Sequence, residues 1–242
     1  MRAPEQLQSA FVLHSRRYRE TSVIVDLFTQ YHGIVPAVAR GVHGGKSNHK
    51  RALLQPFQAI QCRWRGKGEL VTLTDLDQGQ FSATLAKEPL YCGMYVNELL
   101  MRLLHRHDPH ESVFQKYEML LQSLQNCSDI EPILRAFEFN LLDELGYGLS
   151  LDYNAEGDPI KPSSQYYLSI DSQFHEVLEG STPEHSANAF PGAILLAIGE
   201  QNWHDRQVLI YAKQLTRLVL QPLLGSKPLQ SRKLFRSLIN DS

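Results

Sequence analysis

The hydrophobic pattern changes its period near residue 81, and this change constrains the fold more than any other feature of the chain. Up to that point, short runs rich in β-branched residues alternate between apolar and polar positions, which is typical of strands. The runs are QSAFVLHSR, TSVIVDLFT, GIVPAVARG, FQAIQCRWR and ELVTLTDLDQ. Tyr31-His32-Gly33 and Gly66-Lys67-Gly68 have the composition of hairpin turns. Five short, evenly spaced strands without a helical period predict a small barrel.

After Phe81 the apolar residues recur at helical intervals. The helical segments are LAKEPLYCGMYVNELLMRLLHRHD, PHESVFQKYEMLLQSLQN, EPILRAFEFNLLDELGYG, GAILLAIGEQ and DRQVLIYAKQLTRLVLQPLL. Pro89 and Pro132 are expected in first helical turns, and Gly146 or Gly148 is expected to end the third helix. Between Leu149 and Thr182 the pattern is irregular, with one strand-like piece, SQYYLSI. The sequence therefore predicts a multidomain α+β protein, with a five-stranded barrel over residues 1–80, a mainly helical domain over 81–242 and an irregular insertion about 149–185.

Charge is distributed unevenly along the chain, although the net charge of its 242 residues is only -2. From His14 to Lys67 there are ten Lys and Arg residues against two acidic residues. From Gly68 to Asp205 the balance is six basic against 22 acidic residues, and from Arg206 to Ile239 it is seven basic against none. Two basic ends around an acidic middle indicate cationic surfaces for an anionic partner.

Other composition features exclude several classes of protein. The N-terminus lacks a secretory signal pattern, and the longest apolar stretch, near residues 189–198, is too short to span a membrane. We therefore expect a soluble, cytoplasmic protein without a membrane partner. The three cysteines, Cys62, Cys92 and Cys127, form no C-x-x-C pair, so neither a zinc ribbon nor a disulfide framework is expected.

The stretch RGVHGGKSNHKR, residues 40–51, partly matches a phosphate-binding loop. Gly45-Lys46-Ser47 supplies the second half of the G-x-x-x-x-G-K-[ST] pattern, but Arg40 stands where the first glycine is required. The following apolar run stops at Pro56, which leaves room for a helix of one or two turns only. An NTP-dependent enzyme that uses this loop remains an alternative, to be tested by nucleotide hydrolysis. No nucleophile–base pair or carboxylate pair indicates catalysis.

Seven ordered motifs together resemble the RecO family, the DNA repair and recombination mediators of bacteria. They are AFVLHSRRYRETSVIVDLFT, GVHGGKS, LQPFQ, GKGEL, YVNELLMRLL, RAFEFNLLDELGYG and GSKPLQSRKLFRSLI, and they extend over about residues 8–239. The resemblance implies an N-terminal OB-fold, a helical second domain and a non-enzymatic function. Many members carry a four-cysteine zinc site; this chain lacks both C-x-x-C pairs and resembles the zinc-free subgroup, so no metal or other cofactor is expected.

The resemblance also implies partners. These are single- and double-stranded DNA, the C-terminal tail of single-stranded DNA-binding protein, RecR and, indirectly, RecA. The family anneals complementary strands and, with RecR, helps load RecA in recombinational repair, which implies association with the nucleoid. A protein-only adaptor remains an alternative, and DNA binding by residues 1–80 would decide against it.

OB-folds bind single strands through a cationic groove and aromatic side chains on which bases stack. Arg16, Arg17 and Arg19 flank Tyr18 in the predicted first connection, and Arg63 and Arg65 flank Trp64 in a strand. Core packing is favoured for Trp64, whereas stacking and packing remain open for Tyr18. The glycines at 41, 44 and 45 would let a DNA backbone approach closely, although a solvated loop is the alternative. The predicted DNA-binding residues are Arg16, Arg17, Tyr18, Arg19, Arg40, Lys46, Lys50, Arg51, Arg63, Arg65, Lys67, Lys227, Arg232 and Lys233.

The third helix carries one cation in its apolar stripe, Arg135. From the residues alone this is a core helix with one exposed cation. The resemblance implies a different use, because the family binds the acidic, hydrophobic tail of single-stranded DNA-binding protein through the helical domain. Arg135 is therefore the predicted anchor for the tail carboxylate, through charge-assisted hydrogen bonds.

Overall fold

The computed structural model describes the chain except for residues 1–3, 5, 44–47, 127–128, 179–187 and 232–242. The described residues of Met1–Ser128 and Lys227–Ser242 form one compact unit, and those of Asp129–Ser226 form a second. The predicted domain boundary near residue 80 stays a prediction. Among the described helices, none combines the length and the apolar character needed to cross a bilayer.

The first unit contains a closed barrel of five strands in the order β1-β2-β3-β5-β4. Its elements are β1 (Gln8–Tyr18), β2 (Ser22–Thr29), β3 (Gly33–Ala39), the short helix α1 (Asn48–Leu53), β4 (Gln58–Arg65) and β5 (Val71–Ser82). Neighbouring strands are antiparallel except β3 and β5, which are parallel. This order, with a helix between β3 and β4, is the OB-fold, as predicted.

Alternation along the strands fills the barrel interior with one set of side chains. Val12, Val25, Ala37, Ile60 and Trp64 represent this core, and each is at most 1% exposed. Leu53 of α1 is buried in the same cluster. Trp64 is fully buried in this cluster, which confirms the prediction of core packing.

Two helices of the same unit cover one part of the outer barrel surface. They are α2 (Lys87–Leu103) and α3 (Glu111–Asn126). Phe11 and Phe28, which are paired across β1 and β2, pack on Phe114 and Tyr117 of α3 with ring centroids 5.1–6.0 Å apart. The barrel is thus apolar on this outer face as well as inside.

A polar connection fixes α2 and α3 against the barrel. The Asn97 amide donates to the Leu13 carbonyl at 2.7 Å and accepts from the Tyr117 hydroxyl at 2.6 Å. Leu13 lies at a bulge, where the β1–β2 register shifts. Complete burial raises the pKa of the Tyr117 hydroxyl, although its hydrogen bond to Asn97 opposes the shift.

The second unit packs three helices with a small sheet. The helices are α4 (Glu131–Glu144), α5 (Gly192–Gly199) and α6 (Arg206–Leu224), and the sheet has the order β7-β6-β8 with β6 (Gln165–Leu168), β7 (Phe174–Glu176) and β8 (Phe190–Pro191). Gly146 follows α4 with φ +80°, as expected of a residue that ends a helix. The prediction of an irregular region was incomplete: β6 matches the strand-like piece, but β7 and β8 have three and two residues, too few for a recognisable alternation.

Candidate nucleic-acid interface

One row of paired residues crosses the outer surface of the barrel away from the aromatic contact with α3. The register links Arg16 to Ile24, Ile24 to Val38, Val38 to Thr72 and Thr72 to Arg65. We call these five residues the barrel row. Because their neighbours Val23, Val25, Ala37 and Val71 belong to the inner core, alternation places the barrel row outside.

The barrel row carries a cation at each end, with two apolar side chains and one threonine between them. Arg16 and Arg65 are exposed, Val38 is half-buried and Ile24 is 8% exposed. Four strand spacings of about 4.8 Å separate the two arginines, or roughly 19 Å along the curved surface. The row thus combines two exposed cations with the half-buried side chains of Val38 and Thr72, whereas Ile24 is too buried to be contacted.

Tyr18 and Arg19 extend this surface at the end of β1. The prediction that Arg16, Arg17 and Tyr18 lie in the connection was wrong, because all three pair with β2 and only Arg19–Thr21 connect the strands. The half-buried Tyr18 is two residues from Arg16 and so shares its outer face. The Arg19 guanidinium lies 5.1 Å from the Tyr18 ring centroid, and Arg19 has a φ of +55°. This contact holds an aromatic ring and a cation together at the surface.

The β3–α1 connection returns to the same end of the barrel. The backbone N–H groups of Val42 and His43 donate to the Thr21 carbonyl at 2.8 and 3.3 Å. Arg40 follows β3 directly, so it lies near the β1–β2 turn. Arg40, with Lys50 and Arg51 of α1, is exposed. The predicted residue Lys46 and the glycines at 44 and 45 lie outside the described residues.

Arg63 differs from the other barrel cations, because a carboxylate already binds it. Its Nε donates to Asp75 Oδ2 at 2.8 Å across the β4–β5 pair. This hydrogen bond is the main cause that raises the pKa of Arg63 and lowers the pKa of Asp75. A second hydrogen bond, donated by the Thr74 hydroxyl, also lowers the pKa of Asp75. Among the predicted barrel cations that the structure describes, only Arg63 has an ion-pair partner within 4.0 Å.

Lys67 lies in the β4–β5 hairpin beside a cavity of about 380 Å³, which Gly68, Glu69 and His107 also line. Glu69 pairs with Arg106 at 3.7 Å. Negative charge therefore adjoins Lys67. Among the described residues no carboxylate lies within 4.0 Å of Arg16 or Arg65, although the charge of Arg65 contributes to the lowered pKa of Asp75.

The C-terminal basic stretch is divided between the two units. Lys213 is paired with Glu131 at 2.7 Å in the second unit, whereas Lys227 is exposed and belongs to the unit that contains the barrel. Arg232 and Lys233 lie outside the described residues. No pattern in the sequence indicated that the chain returns to the first unit at this point.

Arg135 is buried, so the prediction of an exposed cation on α4 was wrong. It is 6% exposed, its Nη2 donates to Glu138 at 2.8 Å and its Nη1 donates to Thr216 of α6 at 3.2 Å. The Thr216 hydroxyl donates to the other Glu138 oxygen at 2.7 Å. The Arg135 Nε has no hydrogen-bond partner among the described residues.

Within the described part of the chain, no group of three or more His, Cys, Asp or Glu side chains is arranged to hold a metal ion. Burial raises the pKa of the Cys62 thiol to about 12, which keeps it protonated near neutral pH. Cys92 is half-buried, and Cys127 lies outside the described residues.

Comparison with known proteins covers nearly the whole chain. The family models for the N-terminal and C-terminal parts of recombination protein O match residues 1–80 and 88–233. The chain belongs to the RecO family. Proteins called DNA repair protein RecO from Cellvibrio japonicus and Stutzerimonas stutzeri are 41% and 43% identical over 230 and 231 residues, or 95% and 96% of this chain and 96% and 94% of theirs. A third relative of that name, from Pseudoalteromonas atlantica, is 41% identical over 235 residues.

Membership of the RecO family confirms the resemblance read from the motifs. It also agrees with the five-stranded barrel, since the N-terminal family model ends at residue 80, near the end of β5. The name shared by these relatives, DNA repair protein RecO, identifies the family as one of DNA repair proteins. These comparisons do not identify which residues of this chain contact DNA or a protein partner.

Proposed function

We propose that this RecO-family protein binds single- and double-stranded DNA along the barrel row and anneals complementary strands. The observation that carries the proposal is the row itself, in which Arg16 and Arg65 lie exposed at the two ends of one line of paired residues. Tyr18, Arg19 and Arg40 lie beside one end of it. Arg17, Lys50, Arg51 and Lys67 are further candidate phosphate contacts.

The proposed mechanism is electrostatic and involves no covalent chemistry. Two DNA strands repel each other because their backbones carry like charge, and exposed arginines reduce that repulsion by binding phosphates. Phosphate contacts carry no sequence information, so strands of any sequence can be annealed. Tyr18 would add base stacking on single strands only.

The test is a fluorescence anisotropy titration with labelled single-stranded and duplex oligonucleotides over a range of salt concentrations. Replacement of both Arg16 and Arg65 by Ala should reduce the slope of log affinity against log salt by about 1.4 on single strands and about 1.8 on duplex, at about 0.7 and 0.9 per lost phosphate contact. Strand annealing, followed with two dye-labelled complementary strands, should slow in parallel.

A matched double variant, Lys87→Ala with Arg206→Ala, removes the same charge at exposed positions off the barrel row. It should leave the salt slope unchanged. Equal slopes for the two double variants would show that net charge, and not the barrel row, determines binding. A parent chain that bound neither oligonucleotide at low salt would overturn the proposed function.

We further propose that the protein docks on single-stranded DNA-binding protein through that protein's C-terminal tail and, with RecR, helps load RecA. Family membership supports this proposal, and Arg135 is the proposed anchor for the tail carboxylate. Since Glu138 and Thr216 already bind Arg135, the tail would have to reach a guanidinium that is 6% exposed. Its Nε has no partner among the described residues but is itself buried, so the tail would have to displace the side chains that cover it.

The tail proposal is tested by titration of a tail peptide against Arg135→Ala and Thr216→Val. Both variants remove the hydrogen bond between Arg135 and Thr216, but only the first removes the cation. Affinity should fall at least about tenfold in Arg135→Ala, as expected for a lost charge-assisted hydrogen bond, and stay near the parent value in Thr216→Val. An equal loss in both would assign Arg135 a structural role only.

A further inference from the structure

Helix α6 turns a face to solvent that is both cationic and partly apolar. Ile210, at the centre of this face, is 56% exposed. Residues four positions before it, and three and seven positions after it, lie on the same side of the helix. All three are basic, and they are Arg206, Lys213 and Arg217. We call these four residues the α6 face.

The helix itself supplies no negative charge to offset these cations. The sequence of α6 contains neither Asp nor Glu, and Asp205 at its N-cap accepts a hydrogen bond from the Gln207 N–H at 2.7 Å. A single exposed apolar side chain is ordinary, but Ile210 surrounded by cations fits a partner that offers apolar side chains together with carboxylates. A DNA backbone, by contrast, offers phosphates and no apolar side chain for Ile210.

A carboxylate of the protein itself already binds to the α6 face. Glu131, the first residue of α4, accepts from the Lys213 ammonium at 2.7 Å. This hydrogen bond is the main cause that lowers the pKa of Glu131. The charges of Lys213, Arg135 and Arg206 act in the same direction, and partial burial opposes them. The α6 face therefore stabilises an ionised carboxylate, at a place that is also close to Arg135.

The contact between Glu131 and Lys213 is exposed enough to be replaced. The two side chains are 52% and 41% exposed. Ion pairs in such positions are weak, because water screens the charges and both side chains lose conformational freedom. A partner carboxylate that is helped by an apolar contact with Ile210 can therefore compete with Glu131 for Lys213.

We propose that the α6 face binds an acidic, apolar peptide segment, and that Glu131 is an internal competitor which occupies Lys213 until a carboxylate of the segment displaces it. An apolar side chain of the segment covers Ile210, and its carboxylates bind Lys213 and Arg206. The inference rests on the proposed docking on the tail of single-stranded DNA-binding protein, which has this chemical character. It gives that docking an exposed surface next to the buried Arg135.

The test is a fluorescence anisotropy titration of the intact protein with a dye-labelled tail peptide. Ile210→Ser should weaken binding about tenfold, because an apolar contact is lost. Lys213→Gln should weaken it about threefold, because an exposed charge contact is lost. Ile170→Ser and Lys161→Gln are the matched controls in the same unit, since Ile170 is fully exposed between β6 and β7 and Lys161 pairs with Glu176 at 3.2 Å. Both controls should bind the peptide as the parent does.

Glu131→Gln tests the competition by the sign of its effect. It should tighten binding of the peptide about threefold, because Lys213 no longer has a carboxylate partner within the protein. Asp171→Asn removes the same charge from an exposed position between β6 and β7, and it should leave the affinity unchanged. An equal gain in both variants would show that net charge alone sets the affinity. No gain in Glu131→Gln would refute its role as a competitor.

Displacement is measured independently through the ionisation of Glu131, by NMR on protein labelled with carbon-13 in its glutamate side chains. Saturation with unlabelled tail peptide should raise the pKa of Glu131 toward its ordinary value, because Lys213 then binds a carboxylate of the peptide. The same peptide with amides in place of its acidic side chains should leave the pKa low. An unchanged pKa with the acidic peptide bound would contradict displacement.

The outcomes separate the inference from the proposed function. Failure of the parent to bind the tail peptide would overturn the proposed docking on single-stranded DNA-binding protein. Binding by the parent with equal affinity in Ile210→Ser and Lys213→Gln would keep that docking and refute the α6 face as its site. Weaker oligonucleotide binding by these two variants, with peptide binding intact, would assign the face to DNA and refute the inference.

Discussion

Gly33, at the start of β3, combines a left-handed backbone conformation with close packing against Asp108, and a residue with a Cβ would be unfavourable on both counts. Its φ is +62°, and a Cβ there would lie 2.1 Å from the carbonyl oxygen of Asp108. Gly41 has a nearly equal φ of +66° but nothing within 4 Å of its Cβ position. An alanine at Gly41 would therefore introduce backbone strain alone, whereas an alanine at Gly33 would add a steric overlap with Asp108.

We expect Gly33→Ala to lower the free energy of unfolding by about 3 kcal/mol or more, because left-handed strain and steric overlap add. Gly41→Ala should cost only about 1 kcal/mol, since it introduces the strain alone. Urea unfolding of both variants, followed by circular dichroism, measures the difference. Equal losses would mean that Asp108 can move away at little cost.

The lowered pKa of His32 predicts that the stability of the protein depends on pH. Its ring lies edge-on to Trp64 with centroids 5.3 Å apart, and burial, followed by the nearby His107, lowers its pKa from 6.5. The unfolded chain then takes up a proton near pH 6.5 that the folded chain binds only at lower pH. The contribution of His32 to stability is therefore present above pH 6.5 and decreases as the pH falls below that value.

The measurement is urea unfolding of the parent and of His32→Gln at about pH 7.5 and about pH 5.5. The parent should lose more stability than the variant between the two values. Carboxylates titrate in both proteins, so the comparison isolates His32. Identical losses in the two proteins would contradict the assignment.

At the scale of elements, helices α4 and α6 are joined by a buried polar triad of Arg135, Glu138 and Thr216. Glu138 is 1% exposed, so neither charge of the pair has ready access to water. Removal of one partner from a buried ion pair leaves the other charge uncompensated, whereas replacement of both partners by apolar residues is often tolerated.

We expect Glu138→Ala to lower the free energy of unfolding by about 3–5 kcal/mol, and the double variant Arg135→Met with Glu138→Leu to be close to the parent. Urea unfolding of the intact chain measures both. If the double variant were as unstable as Glu138→Ala, the triad would be a net source of stability and not only a matched pair of charges.

The elements themselves were largely predictable, whereas their contacts were not. Alternation placed Trp64 inside and Arg63 outside, and Pro89 and Gly146 marked helix ends correctly. The spacing of Arg135 and Glu138, three residues apart on one helix, was a usable sign of an ion pair. Its burial was not predictable, because Thr216 is 81 residues away from Arg135 in the chain.

At the scale of the whole molecule, the charge pattern of the sequence becomes a surface only through long-range pairing. The barrel row joins Arg16 to Arg65 through three other strands, and a one-residue change of register would turn either side chain inward. The return of the C-terminal stretch to α2 depends on hydrogen bonds that span more than 130 residues, from Glu98 to Ser231. No local pattern encodes either arrangement.

The packing of the barrel on α3 leads to a last prediction, about residues 1–80 as an isolated fragment. Phe11 and Phe28 are 1% and 0% exposed in the intact protein, and α3 covers their outer faces. Exposure of a buried Phe costs about 1.5–3 kcal/mol, and whole domains are stable by only about 5–15 kcal/mol. The fragment 1–80 should therefore bind a hydrophobic dye and lack a cooperative urea transition, whereas the intact chain should show one. Full cooperativity of the fragment would mean that the barrel closes over these rings without α3, and it would make residue 80 a true folding boundary.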